Sequence, residues 1–92
     1  MKDYLPIGSV VLLKGASKRL MVCGRIQICE EQNKVYDYSG CLYPEGYMGA
    51  SEMYLFNNED IDRVYYLGMQ DEEELKFRHY IVEKVSEKEG EH

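Results

Sequence analysis

Basic residues are scarce in this chain: eleven Lys and Arg stand against seventeen Asp and Glu, for a formal net charge of -6. The shortfall is uneven, with six basic and five acidic residues in positions 1–50 but five against twelve in positions 51–92. Binding to phosphates needs clustered Lys and Arg, so no nucleic acid is expected as a partner, whereas a basic protein is easily accommodated. No apolar run approaches the roughly 20 residues that span a bilayer, and the N-terminus lacks the basic-then-apolar layout of a secretion signal. A cytoplasmic protein without membrane insertion is the expectation.

Groups that carry chemistry are equally thin. The two histidines, His79 and His92, are too few and too far from the cysteines for zinc, and Cys23 and Cys29 lack the short paired spacing of a structural site. With Cys41 the cysteines number three, each in an apolar strand-like run, which suits reduced, buried thiols better than a disulfide framework. Neither Gly8-Ser9 nor Ser39-Gly40-Cys41 sits in a G-x-S-x-G context, so no catalytic nucleophile is predicted. Glu59, Asp60 and Asp62 lack the glycine and distal glutamate of an EF-hand loop, and helix capping explains them more simply. The expectation is therefore no enzyme, no metal and no cofactor.

What is present is a globular composition: 92 residues, 45% hydrophobic and 30% charged, enough for one domain over residues 1–92. Val10-Val11-Leu12-Leu13, closed by Lys14-Gly15, reads as a covered strand, and Gly15 to Lys18 as a hairpin loop. Arg19 to Cys29 alternates, with Leu20, Val22, Ile26 and Ile28 on one face. If Glu30 to Asn33 closes a simple hairpin, Cys29 faces Lys34, and the pairs Ile28 with Val35, Ile26 with Asp37, Gly24 with Ser39 and Val22 with Cys41 form the core face. The outer face then pairs Gln27 with Tyr36, Arg25 with Tyr38, Cys23 with Gly40 and Met21 with Leu42.

Two more short strands follow, Met53 to Phe56 and Arg63 to Leu67, separated by one helical turn at Asn57 to Ile61. Asp71 and Glu74 form a capping-box-like pair that opens a helix. Phe77, Ile81 and Val85 make its apolar stripe, widened by Leu75 and Val82, which packs on the sheet or on a partner. The fold predicted is α+β: about five mostly antiparallel, curled strands over residues 9–67, with an SH3-like partial barrel as one form of it. A C-terminal helix covers residues 72–86, and a frayed tail covers 87–92.

Tyr36 to Tyr47 concentrates four of the nine tyrosines around a Pro44-Glu45-Gly46 turn. Tyrosine buries ring area while its hydroxyl stays hydrogen-bonded, which suits an interface as well as the outer layer of a small sheet. Tyr36, Tyr38, Tyr43, Glu45 and Tyr47 are the expected contact surface, and the acidic helix start at Glu72 to Glu74 is a second candidate.

The segments LPIGSVVLLKG, LMVCGR, YDYSGCLYPEG and FNNEDIDRVYYLG, in this order, resemble a family of short Gram-positive bacterial proteins encoded beside LXG toxins and type VII secretion genes. The resemblance covers roughly Leu5 to Glu74, and YPEG with the Asn-x-Glu-Asp-Ile block makes it specific. It implies an accessory role near toxin export, as an adaptor or chaperone, and supplies no catalytic residues. The partner expected is a protein, either a toxin or a secretion component, with self-association through a strand edge as a variant. Two other classes compete: an immunity protein that blocks a cognate toxin, and a small-ligand-binding domain.

Overall fold

A computed structural model describes residues 3–89 of the chain. Five antiparallel strands, β1 (Val10–Leu13), β2 (Leu20–Cys29), β3 (Lys34–Leu42), β4 (Tyr54–Phe56) and β5 (Ile61–Tyr66), form one sheet in the order β4-β3-β2-β1-β5. One helix, α1 (Glu72–Glu89), follows, which makes the α+β class expected. The edge strands β4 and β5 are not paired with each other, so the sheet is unclosed.

Local chemistry accounts for the connections. The capping residue and acids after β4 produce one 3-10 turn, Asn58–Asp60, in which the Asn57 N–H donates to Asp60 Oδ2 at 2.8 Å. At the start of α1, Asp71 Oδ1 accepts the N–H of Glu74 at 2.9 Å, and Glu72, Glu73 and Glu74 lie where the helix dipole favours negative charge. The helix runs to Glu89, three residues past the expected end. Residues 90–92, His92 among them, lie outside the described residues.

The core is one cluster: Tyr4, Val11, Leu20, Val22, Tyr38, Phe56 and Ile81, with Leu5, Leu13, Ile26, Leu42, Ile61, Val82 and Val85 packed around it. The helix therefore packs on its own sheet through Ile81, Val82 and Val85. Its stripe is shorter than the periodicity suggested, because Leu75 and Phe77 remain about half exposed. Tyr38 sits at the centre, edge-on to Tyr4 at 6.2 Å and tilted on Phe56 at 5.3 Å between ring centroids. Full burial of such side chains contributes about 1.5–3 kcal/mol each relative to exposure.

The hairpin of β2 and β3 corrects the expected faces. Its outer half pairs as expected, Cys29 with Lys34, Ile28 with Val35, Gln27 with Tyr36, Arg25 with Tyr38 and Gly24 with Ser39. Between Gly24 and Val22 the register slips by one, so that Val22 meets Gly40, Met21 meets Cys41 and Leu20 meets Leu42. The extra residue is Cys23, a β-bulge, and such a slip exchanges the faces beyond it, except at Ile26, where a left-handed backbone (φ 54) keeps the side chain packed against the core. Hence Tyr38 shares the core face with Val22, while Ile28 and Val35, expected inside, are 69% and 59% exposed. Asp37, Ser39 and Cys41 are buried but lie outside the core cluster. Asp37 is held by polar bonds instead: its N–H donates to Asn57 Oδ1 and its Oδ2 accepts the Asn58 N–H.

Candidate functional site

The site is built where the loop before β2 meets the turn after β3. The N–H of Tyr43 donates to the carbonyl of Arg19 at 3.0 Å, which extends the β2–β3 pairing beyond Leu20 and Leu42. The Tyr43-Pro44 peptide is cis, and the turn closes with the Gly46 N–H on the Leu42 carbonyl at 2.7 Å. Gly46 has φ +86, a left-handed conformation that glycine adopts without a Cβ clash. This tight return sets Tyr43 beside Arg19 and brings Glu45 to Lys18, Oε1 to Nζ, at 2.6 Å. The Lys18 partner holds the exposed Glu45 carboxyl below its ordinary value.

From the other side comes Tyr65 on β5. The Arg19 guanidinium lies 5.0 Å from the Tyr43 ring centre and 5.2 Å from that of Tyr65, while Arg63 lies 5.7 Å from the same Tyr65 ring. Gly8, Val10, Met21 and Tyr66 complete the wall of an open groove of about 470 Å³. Its lining is aromatic rings, a thioether, an aliphatic side chain and a guanidinium. Such groups suit stacking, apolar contact and the pairing of a carboxylate with Arg19.

Of the five expected contact residues, Tyr43 lines the groove and Glu45 is tied to its rim through Lys18. Tyr47 is exposed on the loop beyond and is not part of the groove wall. Tyr36 is elsewhere, at the far end of the hairpin, where its hydroxyl donates to Gln32 Oε1 at 2.7 Å and Lys34 lies over its ring. Tyr38 is not a surface residue: the bulge turns it inward, its hydroxyl accepts the Leu5 N–H at 2.9 Å and donates to Asn58 Oδ1. Burial pushes its phenol up to about 12.

Arg19, Met21, Tyr65 and Tyr66 were not foreseen in the site. Their assembly depends on β5 crossing back to pair with β1, with Val10 opposite both Met21 and Tyr66. The signal was present in the adjacent Tyr65-Tyr66, but nothing local assigns that strand a neighbour.

Of the three thiols expected to be buried, Cys41 is buried, while Cys23 and Cys29 are half-buried. Cys23, the bulged residue, lies with its sulfur 3.2 Å from that of Cys41, and all three cysteines are free. Burial first, then the neighbouring Cys41, pushes the Cys23 thiol up to about 11. Among the described residues no group of three His, Cys, Asp or Glu converges on a point where a metal could bind. His79, as expected, is a solvated helix residue and faces Glu83 one turn on at 3.0 Å. No helix among the described residues is long and apolar enough to cross a membrane.

One family model, described as a domain of unknown function (DUF4176), matches residues 4–77, most of the chain. No curated protein and no solved structure matches it.

Proposed function

The chain belongs to the DUF4176 family, and we propose that it is a non-enzymatic protein-binding accessory, an adaptor or chaperone for LXG toxins handled by type VII secretion. The resemblance of its four sequence blocks to proteins encoded beside such toxins supports the setting. One observation carries the binding role: a guanidinium between two tyrosine rings lines an open groove whose other walls are apolar. Tyrosine and arginine are the residues that anchor protein interfaces, because each buries a flat surface at low entropic cost and keeps a polar end for orientation. The contact surface is accordingly Tyr43, Tyr65, Tyr66 and Arg19, with Glu45 and Tyr47 at its margin, and it works in the cytoplasm before export.

The test is affinity capture from cells that express the neighbouring toxin-locus genes, with the Tyr43→Ala/Tyr65→Ala double variant beside the parent chain. Loss of toxin capture is expected while the fold is kept, read as a thermal melt that stays cooperative and falls only modestly, since both ring contacts of Arg19 are removed. Equal capture by the double variant would overturn the assignment of this groove. An immunity role is separated by its biology: survival of cells that express the toxin domain, with export unaffected by removal of this protein, would replace the adaptor reading.

A further inference from the structure

The expected apolar stripe of α1 only partly reaches the core, and what is left over forms a second surface. Phe77 is half exposed beside Ile7 and Met69, the latter 73% exposed, around a hollow of about 430 Å³ at the helix start. The Phe77 ring is held from two sides, by the Arg25 guanidinium 5.4 Å from its centre and by Tyr80 stacked at 6.2 Å. A ring fixed in this way, next to the stiff, β-branched Ile7 and the adaptable Met69, makes an anchor site.

The rim of the hollow is acidic. Asp71, Glu73 and Glu74 line it with Arg25. Arg25 gives no free positive charge, because its Nη2 sits 2.6 Å from Glu74 Oε1, with side-chain exposures of only 5% and 11%. Glu74 is also engaged by Arg78 at 3.4 Å, and Arg78 lies 3.8 Å from Asp3, so the two guanidiniums are matched by two carboxylates. That leaves Asp71 and Glu73, both exposed and without an ion pair among the described residues. The helix N-terminus offsets them by only about half a positive charge. A second copy of this chain is a poor occupant, since each copy carries -6 and its excess acid is concentrated in residues 51–92.

We propose that this hollow is a second docking site, distinct from the tyrosine groove, for a partner segment in which an apolar side chain is flanked by Lys or Arg. The apolar side chain enters between Ile7, Met69 and Phe77, and the flanking cations meet Asp71 and Glu73. Two sites of different chemistry on one small domain would let it hold two partners at once.

Fluorescence anisotropy with the full chain tests this, using three labelled nonapeptides: a central Leu flanked by Lys and Arg, the same Leu flanked by Glu, and a central Ser flanked by Lys and Arg. Saturable binding of the first peptide alone is expected, weakened at least about fivefold by Met69→Ser and by Glu73→Lys, as for loss of one anchor or one rim charge. Tyr43→Ala should leave it unchanged, which separates this site from the groove. Equal binding of the Glu-flanked or the Ser-centred peptide, absence of saturable binding, or indifference to both variants would overturn the proposal.

Discussion

Arg19 and Tyr43 are joined twice, by a backbone hydrogen bond of 3.0 Å and by the guanidinium lying 5.0 Å from the ring centre. Because the same guanidinium also faces Tyr65, one side chain connects the end of the β2–β3 hairpin to the edge strand β5. Arg19→Lys keeps the charge but loses the plane that lies between the rings. It should lower stability by about 0.5–1 kcal/mol, read as a shift of the urea midpoint at constant slope.

Tyr38→Phe removes the hydroxyl that bonds both Leu5 and Asn58. At neutral pH the loss should be about 1–2 kcal/mol, because the half-buried Leu5 N–H and the Asn58 side-chain carbonyl are left without this partner. The pH dependence separates that loss from a packing defect. The native phenol keeps its proton to about 12, whereas in the unfolded chain it ionises near its ordinary value of 10. Below pH 10 both states are protonated and the contribution is complete. As pH rises from 10 to 12 the parent chain loses stability from this group at up to about 1.4 kcal/mol per unit, and Tyr38→Phe does not. The gap between the two proteins should therefore narrow across that window in urea titrations at a series of pH values.

Gly68 lies where two backbones approach. Its N–H donates to the buried Ser9 hydroxyl at 2.9 Å, and a Cβ there would fall inside the contact distance of the Ile7 carbonyl and 3.0 Å from the Ser9 nitrogen. Neither obstacle is a flexible side chain, so Gly68→Ala should cost about 3 kcal/mol or more and depress the melting temperature strongly. Gly8→Ala, whose Cβ would only touch Gly68 at 4.0 Å, pays for its φ of +92 instead and should cost less, about 1 kcal/mol.

Thiol labelling should be staged. Cys41 is buried and the Cys23 thiol is pushed up to about 11, so both are poor nucleophiles at pH 8. Iodoacetamide followed by intact mass measurement should show Cys29 modified first, Cys23 slowly, and Cys41 only with unfolding. Rapid modification of Cys23 in the folded chain would contradict the placement of its sulfur against Cys41.

The strands were legible because β-branched runs end at glycine or polar turns, and α1 because a capping pair precedes its stripe. The outer half of the hairpin register was legible too, since the Glu30 to Asn33 loop sets it. The faces were not, because strict alternation assumes one residue against one, and Cys23 breaks that count. Gly24, an isolated glycine within a strand pattern, was the visible warning of a bulge. Tyr43 could be picked from its local cluster of tyrosines. Arg19, Tyr65 and Tyr66 could not, because only the return of β5 to β1 brings them together, and no local propensity encodes a pairing between residues some fifty positions apart in the chain.

The bulge at Cys23 has a consequence for how the chain tolerates change. It gives β2 two reading frames, one that turns Leu20 and Val22 inward and another that turns Arg25 toward the buried side with Tyr38. The number of residues between Val22 and Arg25, more than the identity of residue 23, is what keeps Tyr38 indoors. Substitution at Cys23 is thus a local matter of packing, whereas loss of that one residue would exchange the inside and the outside of half a hairpin.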